Sequence, residues 1–111
     1  MIRNFKKLNI WTRSRMIVKI IYMMTESFPK TETYGLTSQI RRYAISVPSN
    51  IAEGCGRGSV KELNRFLDIA VGSICELETQ IYLAADINYL EKERMESIVS
   101  EIDQILSLIH I

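Results

Sequence analysis

Leu63, Leu67, Ala70, Ile74, Leu77, Ile81 and Ala84 recur at alternating steps of four and three residues. That spacing keeps one apolar face of a helix pointed at its neighbours over about six turns, the seam of a left-handed helical bundle. A chain of 111 residues closes such a seam most readily by folding further helices onto it. The start of this helix is marked as well. Ser59 stands three residues before Glu62, the spacing of a capping box in which each side chain takes up the other's backbone N–H.

Three more helices follow from the same logic. Met95, Ile98, Ile102, Ile105 and Ile109 step by three and four, and Val99 and Leu106 widen the stripe. Glu91, Glu93 and Glu96 crowd the first turns, where the helix dipole favours negative charge. The short turn at Asn88-Tyr89 makes helices three and four antiparallel neighbours. A less regular first helix is expected from about Phe5 to Glu26, carried by Leu8, Trp11, Val18, Ile21, Tyr22 and Thr25, ending before Phe28-Pro29. The second starts near Tyr34–Thr37 and carries Leu36, Ile40, Tyr43, Ala44, Val47 and Ile51. Pro48 falls inside it, so a kink near Ser46–Pro48 is expected rather than a break. No strand pattern of period two appears. The expectation is one all-α domain over 1–111, an antiparallel up-down four-helix bundle with helix two kinked at Pro48.

Several function classes are set aside. Met16 to Met24, the most apolar stretch, is interrupted by Lys19 and is too short to span a membrane. Arg3, Lys6 and Lys7 lead into an amphipathic stretch rather than a clean apolar signal region, so a cytoplasmic location is expected. Cys55 and Cys75 are too few for a disulfide framework or a zinc site, and His110 stands alone near the C-terminus. No metal, no cofactor and no nucleophile–base set is expected, hence no enzyme. Glu76 and Glu78 are two apart and do not face one site on a helix. Glu53, near Asn50 and Ser49, reads as a packing partner rather than an acid–base catalyst.

Charge is the feature that points to a partner. The formal net charge is only +1, yet residues 1–65 hold twelve Lys/Arg against four acids, and residues 66–111 hold two against nine. Arg41 and Arg42 on helix two, with Arg57, Lys61 and Arg65 beyond it and Lys6, Lys7 and Arg13 nearby, are candidates for a nucleic-acid backbone interface. The other reading is a solvated surface, partly neutralised by the acidic half. Gly54, Gly56 and Gly58 next to Arg57 allow either a helix cap in the left-handed conformation or a phosphate contact. Neither the Walker spacing nor a dinucleotide fingerprint is present. Ile69, Val71, Tyr82 and Leu83 lie outside the main seam, and this excess of apolar surface favours an oligomer.

The strings YGLTSQIRR (34–42) and PSNIAEG (48–54), with Phe28-Pro29, Arg57, Phe66-Leu67 and Glu76-Leu77-Glu78-Thr79-Gln80, closely resemble the bacterial four-helix-bundle family of 23S-rRNA intervening-sequence proteins. The resemblance covers nearly the whole chain. It implies a small, non-enzymatic cytosolic bundle that assembles as a homopentamer. A related branch, the accessory variability proteins of diversity-generating retroelements, partners a reverse transcriptase and nucleic acid. Arg41, Arg42 and Arg57 match the family's basic positions. Asn88 stands where the family often has glycine, and asparagine tolerates the left-handed conformation. Tyr43 stands where the family often has a small residue. The resulting expectation is a homo-oligomer, with a pentamer favoured, that binds structured RNA or other nucleic acid through Arg41, Arg42, Arg57, Lys61, Arg65, Lys6, Lys7 and Arg13. The alternative is a protein-interaction scaffold or accessory subunit without direct nucleic-acid binding.

Overall fold

The seam from Leu63 to Ala84 lies in the longest helix of a computed structural model that describes residues 4–109. Four helices pack together: α1 (Asn9–Thr25), α2 (Leu36–Cys55), α3 (Val60–Asp86) and α4 (Lys92–Ile109). Single 3-10 turns at Phe5–Lys7 and Lys30–Glu32 precede α1 and α2, and no strand occurs among the described residues. No described helix is long and apolar enough to cross a membrane. Arg3 and His110 lie outside the described residues.

The core follows the spacing closely in three helices. α3 buries Ala70, Ile74, Leu77, Ile81 and Ala84, α4 buries Met95, Ile98, Ile102 and Ile105, and α2 buries Ile40, Ala44, Val47 and Ile51. α1 departs from expectation. Its buried residues are Ser14, Ile17, Ile21, Met24 and Thr25, whereas Trp11 and Val18 are half-buried and Tyr22 is exposed. Two polar side chains sit on the core face because their hydroxyls find partners inside the helix. Ser14 Oγ donates to the Trp11 carbonyl and Thr25 Oγ1 to the Ile21 carbonyl, each at 2.8 Å. α1 also begins later than Phe5. Leu8 is extended (φ −78°, ψ 128°), which separates the turn at Phe5–Lys7 from the helix proper.

Contacts pair the start of each helix with the end of its neighbour. Arg41 Nε, near the start of α2, donates to Thr25 Oγ1 at the end of α1 at 2.8 Å. Gln80 Nε2 of α3 donates to Gln39 Oε1 of α2 at 3.2 Å. Arg13 of α1 donates to Gln104 of α4, and Tyr89, just before α4, stacks on Phe28, just after α1, with ring centroids 5.4 Å apart.

α2 passes through Pro48 without a break. Beside the proline a polar bridge joins α2 to α3. Ser46 Oγ and Ser73 Oγ lie 2.7 Å apart, and Asn50 Nδ2 donates to both the carbonyl and the hydroxyl of Ser46 at 2.8 Å. Asn50 is thus a packing partner. Glu53 is not. It is exposed and pairs with Arg57 at 3.2 Å. The cap of α3 is half of the expected box. Ser59 Oγ accepts from the Glu62 N–H at 3.2 Å, but the Glu62 carboxylate turns to Arg65 Nε at 3.0 Å.

The glycine run needs a correction. None of the described glycines adopts a left-handed conformation, and Gly56, which caps α2, has φ −82°. Gly54 is required for a different reason. A Cβ there would stand 2.9 Å from Phe66 Cβ and 3.2 Å from the Leu63 carbonyl oxygen, so the α2 backbone presses directly on α3.

Left-handed backbone occurs instead at Asn88, with φ 65°. The Tyr89 N–H bonds to the Ala84 carbonyl at 2.9 Å and the Asn88 N–H to the Ala85 carbonyl at 3.0 Å, the paired bonds of a Schellman motif. Asn88→Gly is therefore expected to match or slightly exceed the wild type in stability. Asn88→Ala is expected to lose about 1 kcal/mol, read as the difference in urea unfolding free energy.

Glu78 is strained electrostatically. One of its carboxylate oxygens is buried with no hydrogen-bond partner. Burial, and secondarily the charge of Asp103 on α4, push its pKa up from the usual glutamate value. A carboxyl whose folded pKa exceeds its unfolded one favours the fold while protonated. That advantage is lost as pH rises through the folded pKa. Glu78→Gln is expected to stabilise the protein at pH 7 by about 1 kcal/mol. The gain should close as pH falls below the carboxylate range, as thermal melts at pH 7 and pH 3 would read.

Candidate functional site

The bundle has two chemically different ends. Arg41 and Arg57 both lie on or just beyond α2, sixteen residues apart, which corresponds to about 24 Å along a helix. The eight basic residues singled out from the sequence therefore do not form one patch. Arg41 and Arg42 lie at the end where α1 finishes. Arg57, Lys61 and Arg65 lie at the opposite end, where α2 finishes and α3 begins. Lys6 and Lys7 join them there, because their 3-10 turn packs on α1 and α2 at the start of α1. Arg13 and Arg15, in the first two turns of α1, lie at this end too.

Phe66 organises this second end. It is buried under two guanidinium groups, Arg57 at 4.9 Å and Arg65 at 4.5 Å from its ring centroid. A guanidinium lying over an aromatic face is held by the ring's quadrupole while its in-plane N–H donors stay free at the edge. Each Nε is occupied, by Glu53 and Glu62 at 3.2 and 3.0 Å. These ion pairs are exposed and therefore weak, so a phosphate competes with them readily. Arg15 repeats the arrangement at 4.8 Å from the Trp11 ring, and Phe5 packs edge-on against that ring at 5.1 Å. Lys6, Lys7 and Lys61 are exposed and form no ion pair among the described residues. Arg13 is half-buried and engaged by Gln104.

Arg41 has a different task. Besides Thr25 it reaches the Tyr22 carbonyl at 3.5 Å and covers the Tyr22 ring at 4.4 Å. A cation at the last carbonyls of α1 meets the negative end of that helix, so Arg41 fastens α1 to α2. Arg42 is exposed with no ion pair among the described residues. It borders an open hollow of ≈ 460 Å³ lined also by Arg41, Tyr22, Thr33, Tyr34, Thr37, Ser38 and Ile45. At the same end Glu32 links two elements. Its carboxylate accepts the Leu36 N–H at 3.1 Å and the Tyr89 hydroxyl at 3.0 Å. That bond, then burial and the carboxylate's charge, raise the Tyr89 pKa.

The model of the 23S rRNA-intervening sequence protein family matches residues 6–110. The chain belongs to that family. No curated protein matches it. Among solved structures it is similar to the 1.70 Å crystal structure of a protein of unknown function from the S23 ribosomal protein family of Bacteroides thetaiotaomicron. The TM-score is 0.80 at 24% identity, over 90% of this chain and 94% of that one. This likeness concerns the fold.

Within this intervening-sequence fold, sequence reading reached the cations but missed the aromatic rings beneath them. Phe66 directly follows Arg65, yet its pairing with Arg57 crosses a turn and has no helical period to reveal it. The apolar residues outside the seam are placed as expected in part: Ile69, Tyr82 and Leu83 are exposed, and Val71 is half-buried. Cys55 is buried, which pushes its thiol pKa up, and Cys75 is exposed.

Proposed function

We propose that this intervening-sequence family member is a non-enzymatic, cytoplasmic, homo-oligomeric bundle that binds structured RNA through the end carrying Lys6, Lys7, Arg57, Lys61 and Arg65. The observation that carries the reading is the Phe66 stack. It gathers two guanidiniums on one ring, with Lys61, which has no ion pair among the described residues, in the first turn of the same helix. Such a surface grips phosphates, positions a nucleic acid and reads little sequence. The family's description, which names 23S rRNA, favours RNA over DNA. Self-association is supported by Ile69, Tyr82 and Leu83 on α3, each about half exposed. A pentamer is the assembly that the resemblance implies, and it would repeat the basic end around a ring.

The test is titration of the purified protein against structured RNA, single-stranded RNA and duplex DNA at two salt concentrations, with light scattering in the same buffers. Affinity for RNA is expected to fall roughly tenfold or more as salt rises fourfold, as it does when several phosphates are neutralised. An intact oligomer that binds no nucleic acid at low salt would sink the reading.

The exposed apolar side chains also favour a second reading, a protein-interaction scaffold or an accessory subunit, for example of a reverse transcriptase. Met16 and Met23, each more than half exposed and seven residues apart on α1, add to that surface. Under this reading, substitutions at Ile69 and Leu83 abolish partner capture, while those at Lys61 and Arg65 have no effect.

A further inference from the structure

The hollow at the opposite end carries chemistry that a phosphate-gripping surface does not need. Tyr34 is 96% exposed, the full ring standing in water beside the hollow. Its support is firm. The 3-10 turn before it is closed by the Thr33 hydroxyl on the Lys30 carbonyl at 2.8 Å, and the Gly35 N–H bonds to the Glu32 carbonyl at 3.0 Å. Glu32 in turn is tied to α2 and to Tyr89. The ring is therefore presented on a braced turn and not on a loose loop. Tyr22, the other ring of the hollow, is already covered by Arg41. The uncovered ring of Tyr34 and the exposed Arg42, which has no ion pair among the described residues, both line this space of ≈ 460 Å³, with Arg41 beside them. The hydroxyl-bearing Thr33, Thr37 and Ser38 line it, and Ile45 is its aliphatic side chain.

We propose that this hollow receives one unpaired nucleotide of a single strand, its base stacked on Tyr34 and its phosphate held by Arg42. Stacking on an exposed ring suits any base, because every base has a π face. A volume in the range of small-ligand sites accommodates one nucleotide. The alternative occupant of a free arginine is an acidic peptide. That ligand would use Arg42 but has no use for the bare face of Tyr34, and the hollow offers no deep apolar pocket to anchor a side chain. The inference rests on the nucleic-acid reading above. It adds a second contact at the far end of the bundle and a requirement for unpaired strand next to the structured part.

The experiment is NMR of the full-length protein with labelled tyrosine, titrated with a short single-stranded oligoadenylate, AMP, a blunt RNA duplex and polyglutamate. Oligoadenylate is expected to shift the Tyr34 ring signals. AMP should produce the same shift at higher concentration, which would mark a free nucleotide as sufficient. Tyr34→Ala is expected to weaken oligoadenylate binding about tenfold or more and leave duplex binding unchanged. Tyr34→Phe should bind like the wild type, since the stacking face is kept, and Arg42→Ala should weaken binding as well. Unchanged oligoadenylate affinity in Tyr34→Ala, or an equal Tyr34 shift with polyglutamate, overturns the proposal. If duplex binding persists in that case, the basic-end reading survives. A Tyr34 shift with oligoadenylate but no duplex binding would support the hollow and remove the basic-end reading instead.

Discussion

Gly54→Val is expected to destabilise the protein by about 3 kcal/mol, lowering the thermal midpoint by roughly 10 °C or more. The position tolerates no side chain, because a Cβ would meet Phe66 Cβ at 2.9 Å and the Leu63 backbone oxygen at 3.2 Å. A rotamer change does not move either of those atoms, so α2 and α3 must separate. Gly54→Ala is expected to cost less, about 1 kcal/mol, since alanine returns part of the loss as helix propensity. Gly72 is the internal control. It too lies in a helix, but a Cβ there meets nothing within 4 Å. Gly72→Ala is expected to stabilise by about 0.5–1 kcal/mol. The same substitution at two helical glycines thus carries opposite signs. Urea melts of both variants decide it, and a destabilised Gly72→Ala would contradict the open surface at that position.

The double charge reversal Lys61→Glu with Arg65→Glu is expected to weaken RNA binding about a hundredfold at low salt. It should also flatten the salt dependence by about two units of log–log slope, one for each phosphate contact removed. Both side chains lie on one face in the first turns of α3. Lys61 is exposed, and the loss of the Arg65 cover on Phe66 and of its exposed pair with Glu62 should cost a little stability but leave the fold. Circular dichroism and light scattering on the variant separate a lost interface from a lost structure. Arg41→Glu is the informative contrast. It breaks the bond to Thr25 and uncovers the Tyr22 ring, so its main effect should be on stability. An RNA-binding loss in a fully stable Arg41→Glu variant would move the interface to the other end of the bundle.

These two contrasts show which parts of the molecule were legible in its sequence. The buried stripes of α3 and α4 were, because a repeat of four and three residues leaves a packed helix little freedom about which face to bury. The turn at Asn88 was, because few residues accept its backbone conformation. α1 was only partly legible. Ser14 and Thr25 look like surface residues until their hydroxyls are seen to bond within the helix. The glycine at position 54 reads locally as a terminator, while its actual constraint comes from Phe66, twelve residues away across a turn. The candidate site suffered most from this. Six cations at one end and two at the other look equivalent as a list. What separates them is which ring or carbonyl each side chain reaches after the helices have packed.

The Ser46–Ser73 bridge bears on how α2 and α3 choose their alignment. Apolar seams with a seven-residue repeat fit each other almost as well after a slide of two turns, about 10 Å. Moving α2 one repeat in one direction would bring Val47 to the place now held by Gly54, where even a methyl group collides with Phe66. The same slide would set Ser46 against Phe66 and strip its hydroxyl of the 2.7 Å partner it has now. The opposite slide would leave Gly54 facing a gap. A purely apolar interface would admit several such slipped states of similar energy; a notch and a hydroxyl pair, one repeat apart, admit one.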